Sequence, residues 1–165
     1  MSLKKALFAD SGIRVVWMNC ATRGHRRADV SPRCDQPVDG GEMILRIEPA
    51  GQTDRSENVS MGFSLVNSNH VQASVMATVF ADRVRDIARA AGIDQRVLLG
   101  LAIAHEIGHL LLSTNTHAAT GLMRARWSQA DLRRTKPSDW RFIDRDARAM
   151  QDELMWRISR CVRCG

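Results

Sequence analysis

With 165 residues, the chain has room for one domain built on one core. Its hydrophobic and charged fractions, 44% and 25%, are those of an ordinary soluble globular protein, and no apolar run reaches the ~18–20 residues that a bilayer span needs. The formal charge is +6, almost all of the basic residues are Arg, and the excess is concentrated between Arg124 and Arg163. Such a tail can attract nucleic acid or an acidic surface. Its acids and bases alternate through Arg141, Asp144, Arg145, Asp146 and Arg148, however, and no nucleic-acid motif accompanies them. The expectation is therefore a solvated helix face with no specific nucleic-acid partner.

Residues 1–5 read as a leader or a disordered start to the domain, without the long apolar stretch of a signal peptide after Lys4 and Lys5. Residues 13–19 are rich in β-branched residues and read as a strand. A long irregular segment follows over 21–41, which a Cys20–Cys34 bridge would tie down. Residues 43–48, 61–66 and 71–79 read as further strands, the last two joined by a hairpin connector over 67–70. From Phe80 the apolar period becomes helical through Val84, Ile87, Ala88 and Ala91, with Gly92 closing that helix. Asp94 caps the next helix, which runs from Gln95 to about Ser113 and is apolar on nearly every side. Ser128 and Asp131 start a short helical turn, and Pro137-Ser138 restarts the chain as a final helix to about Arg160. No internal repeat or low-complexity segment is present.

Four cysteines permit two disulfides with three possible pairings. Cys161-x-x-Cys164 is also the spacing of half a zinc knuckle or of a redox pair, but Cys20 and Cys34 make no second knuckle and no βα unit surrounds the motif. Structural disulfides, and with them an extracytoplasmic location, are the favoured expectation.

The chemistry is concentrated in His105-Glu106-Ile107-Gly108-His109. Residues four apart on a helix lie ~40° apart in rotation and ~6 Å apart along the axis, so His105 and His109 can place two imidazole nitrogens on one zinc ion. Glu106 sits about 100° round the helix from the first ligand, where its carboxylate can serve as general base toward a water the metal activates. Leu99, Ile103, Ile107, Leu110 and Leu111 fall on the opposite side and anchor the helix in the core. The competing reading is a chance match with two core histidines. A polar trio in so apolar a helix argues against it, because it would be costly without a role.

Zinc in a catalytic site needs a third protein ligand and an open position. After the motif come Ser113-Thr114-Asn115-Thr116-His117 and then Gly121-Leu122-Met123. This stretch of about twenty residues resembles the metzincin clan of zinc peptidases, with H-E-x-x-H-x-x-G-x-x-H followed by a Met-turn. His105, Glu106 and His109 match that pattern directly, and Met123 is similar to the Met-turn methionine. Two positions depart from it: Leu112 stands at the clan's glycine and Asn115 at its third histidine, with His117 two residues later. The helix is expected to stop near Asn115, in the left-handed conformation, and to return His117 to the metal. His70, Asp131 and Asp139 are the other candidates for third ligand.

The resemblance, closest to minimal bacterial members of the clan, implies an α+β zincin-like domain over residues 1–165. In it a twisted mixed sheet packs on the active-site helix, followed by a Met-turn and a C-terminal helix. It implies a Zn²⁺ cofactor, a peptide or protein substrate, and residues 61–66 as an edge strand that pairs with it. Trp127 and Trp140 are expected to pack around the Met-turn. The sequence has no tyrosine, so a second donor to the reacting carbonyl falls to Arg124, Arg126 or His70. Two other readings use the same residues: a zinc-binding interaction module without activity, and an intracellular regulator whose basic tail binds nucleic acid.

Overall fold

A computed structural model describes residues 7–20, 31–50, 60–67, 73, 75–134 and 137–161. Three strands, β1 (Ile44–Glu48), β2 (Gly62–Leu65) and β3 (Met76–Phe80), form a mixed sheet in the order β1-β3-β2. β1 runs parallel to β3, and β2 antiparallel to it with Gly62 opposite Val79 and Ser64 opposite Ala77. Helices α1 (Ala81–Ala91), α2 (Gln95–Leu112), α3 (Gln129–Leu132) and α4 (Asp144–Cys161) follow, so the class is α+β. No helix among the described residues is long and apolar enough to cross a membrane.

α2 occupies the centre, packed between the sheet and α4. Its start is fixed by Asp94, whose carboxylate accepts from the Arg96 N–H at 2.7 Å. Leu98, Ile103 and Leu110 are fully buried along it, each worth about 1.5–3 kcal/mol of transfer from water. On the sheet side, Gly62 lies so close that a β-carbon there would stand 2.5 Å from the Thr78 carbonyl and 3.0 Å from Glu106 Cγ. On the other side, a β-carbon on Gly108 would stand 2.6 Å from Met123 Sδ and 2.8 Å from Phe142 Cε1. These two glycines let β2 and the 121–123 turn close on the same stretch of helix from opposite sides.

The structure corrects four expectations. Residues 13–19 belong to no strand. Ile13 is buried and Val15 and Trp17 pack on the core while Val16 and Met18 face out, so the β-branched residues here support an extended segment laid on the core and not a ladder strand. Among the described residues the third strand spans Met76–Phe80, with residues 73 and 75 outside it, and extended Phe80 closes it as the N-cap of α1. α2 stops at Leu112, with Ser113 rather than Asn115 in the left-handed conformation, at φ 49°. The Ser113 hydroxyl repays that conformation with a 3.0 Å bond to Glu153.

Finally, Pro137–Trp140 is a 3-10 turn, and the last helix begins only at Asp144. The chain between instead braces the preceding turn: the Arg141 carbonyl accepts the Leu122 N–H at 2.9 Å.

Cys20 and Cys34 are bridged, with Cα atoms 5.5 Å apart. Gly92 closes α1 at φ 68°, and Ser128 and Asp131 form a reciprocal capping box on α3, both as the sequence implies. The leader over residues 1–5, most of the 67–70 connector, His70 and Cys164 lie outside the described residues.

Candidate metal centre

His105 and His109 stand one turn apart on α2, and His117 meets them from the following loop. Their ring centroids are 4.7 Å (105–109), 5.4 Å (105–117) and 4.8 Å (109–117) apart. One nitrogen from each falls within 4.8 Å of the others, an arrangement able to hold a metal ion. Asp131 and Asp139 are not in this group. Asp131 is engaged by Ser128 and by Arg124, and those bonds hold its carboxyl well below the usual carboxylate range.

Both helix-borne rings are oriented from behind. His105 Nδ1 lies 2.9 Å from the Leu122 carbonyl, and His109 Nδ1 lies 2.8 Å from that of Thr114. A carbonyl oxygen only accepts, so each Nδ1 carries the proton and each Nε2 is left with its lone pair. The two Nε2 atoms face one another at 3.1 Å. Two nitrogens bound at ~2.0–2.1 Å to one tetrahedral zinc would lie ~3.3 Å apart. Burial, opposed by the bond to Leu122, pushes His105 down to about 4. Burial also lowers His109 and His117. Near neutral pH the site therefore presents converging lone pairs on neutral rings, a donor set that fits a divalent cation.

Local folding explains how His117 arrives. The Thr114 N–H bonds back to the His109 carbonyl at 3.3 Å, so Thr114 is tied to His109 through both of its backbone groups. The Thr116 N–H then donates to the Thr114 hydroxyl at 3.1 Å, turning the chain toward the cluster. Arg157, with a fully buried side chain, holds Glu153 at 2.9 Å and donates to the Leu110 carbonyl, fixing the end of α2 where this loop begins.

Met123 is 1% exposed and lies against Gly108, on the helix turn between His105 and His109. Its carbonyl accepts the Ala118 N–H at 2.8 Å, joining the turn to the residue after His117. Trp127 stands edge-on to His105 at 5.5 Å and to Trp140 at 5.2 Å, the packing role expected of both. Arg124 braces the turn through Gly121 and Asp131, at 3.1 and 3.0 Å. A cavity of ≈ 410 Å³ behind this turn is lined by Thr120, Arg124 and Phe142 and by none of the three histidines.

Glu106 is 7% exposed, and burial raises its carboxyl to about 7 against the opposing effect of a hydrogen bond from Ser64. The Ser64 hydroxyl lies 2.7 Å from Glu106 Oε2 and 2.7 Å from the Glu106 main-chain oxygen. Sequence reading missed Ser64, as well as the carbonyls of Thr114 and Leu122. The signal available for the first was Gly62, since a glycine inside a strand marks a close approach.

In comparisons with known proteins, the chain matches no family model, no curated protein and no solved structure.

Proposed function

We propose that this chain is a zinc-dependent peptidase of metzincin-like design. The observation that carries the reading is the pair of Nδ1-anchored histidines presenting Nε2 atoms 3.1 Å apart, with His117 beside them and the buried carboxyl of Glu106 adjoining. His105, His109 and His117 would hold zinc through ring nitrogens, and the ion would supply Lewis-acid polarisation of water and of the substrate carbonyl. Glu106 takes a proton from the attacking water on its carboxylate and returns it to the leaving amine. Support for a Met-turn comes from Met123 beneath Gly108, and support for peptide binding from the edge position of β2. The Cys20–Cys34 bridge fits an oxidising, extracytoplasmic setting.

Metal analysis and digestion of an unfolded protein test this together. The parent should carry one zinc and cleave. Glu106→Gln should keep the zinc and lose cleavage by about 10²–10⁴-fold. Zinc retained without cleavage by the parent would instead identify a non-catalytic zinc module.

A further inference from the structure

Strand β2 touches the proposed base from above. The pairing of the Phe80 N–H with the Met61 carbonyl at 2.8 Å sets the alternation of the β2–β3 ladder. It turns the main-chain groups of Phe63 and Leu65 toward β3 and those of Ser64 toward the outer edge. Among the described residues no further strand pairs with that edge. The Ser64 side chain points the other way, into α2, where its hydroxyl meets Glu106 at 2.7 Å. Gly62 removes the β-carbon that would stand 3.1 Å from Glu106 Oε1, so the strand can lie this close.

A glutamate side chain has three rotatable bonds, and the loss of even 1 Å of placement in a general base costs up to ~100-fold in rate. We propose that Ser64 is the positioning residue for Glu106, holding its carboxyl in one orientation beneath the sheet edge. The inference rests on the peptidase reading. It adds a residue that neither binds the metal nor exchanges a proton with substrate.

The test compares the zinc-loaded parent with Ser64→Ala and Ser64→Thr. Ser64→Ala should lower kcat about tenfold, leave KM and zinc affinity unchanged, and be rescued by Ser64→Thr, which keeps the hydroxyl. A Ser64→Ala protein with the parent's kcat, or a Ser64→Thr protein no better than Ser64→Ala, overturns the proposal. A second readout needs no activity. Denaturant unfolding of the metal-free Ser64→Ala, Glu106→Ala and double variants should show coupling of at least ~threefold in the unfolding constant. Additive effects overturn the tie. If the parent cleaves nothing, the peptidase reading falls and this cycle alone decides whether Ser64 holds Glu106.

Discussion

The two helix-borne histidines and the loop-borne one are built differently. His105 and His109 are 9% and 5% exposed, project from a helix buried along most of its length, and are each oriented by a carbonyl behind the ring. His117 stands on an exposed loop whose course is set by hydrogen bonds at Ser113, Thr114 and Thr116. Helix periodicity alone places the first pair, whereas the third depends on where the helix ends and how the chain turns. The site is thus half rigid scaffold and half local turn chemistry.

Removing ligands separates the halves most sharply. His109→Ala should abolish zinc binding, exceeding the ~10–100-fold that loss of an outer hydrogen-bond partner costs. His117→Ala should weaken zinc binding less, because the oriented pair survives. Competition with a chelator measures both; equal losses would erase the distinction between scaffold and loop.

A smaller effect is expected from Gly108→Ala, which adds a β-carbon 2.6 Å from Met123 Sδ. The overpacking should cost about 1–3 kcal/mol, read as a lower denaturant midpoint. A change within 0.5 kcal/mol, on the order of a surface substitution, would show that the 121–123 turn is not pressed against the helix.

The last effect depends on pH. Glu106 ionises near 4.5 when unfolded and near 7 when folded. Between those values the folded chain holds a proton that the unfolded chain has released, so stability falls as pH rises through the window and stays lower above it. In metal-free protein, Glu106→Gln should therefore gain on the parent between pH 4.5 and 8, by about 3 kcal/mol. His105, lowered from 6.5 to about 4, acts oppositely and destabilises as pH falls through its own window. Both proteins share that contribution, so it cancels in the difference. No gain by Glu106→Gln would mean that burial does not desolvate the carboxyl.

These contrasts also mark what could be read in the sequence. α1, α2 and the capping box at Ser128 follow from periodicity and cap residues, which are local. The pairing of His105 with His109 is local too, being one helical turn. The end of α2 was legible only approximately, since Ser113 takes the left-handed conformation with help from Glu153, forty residues away in the chain. Residues 13–19 misled because β-branched residues favour extended backbone whether or not ladder bonds form. Ser64 was invisible as a partner of Glu106 because strand register is a tertiary property, and only Gly62 hinted at the contact.

The most direct test of the three-histidine site is X-ray absorption at the zinc edge of the zinc-loaded protein. The account predicts three imidazole nitrogens among a light-atom shell at ~2.0–2.1 Å and no sulfur. A shell with sulfur at ~2.3 Å, or with only two imidazoles, would contradict it.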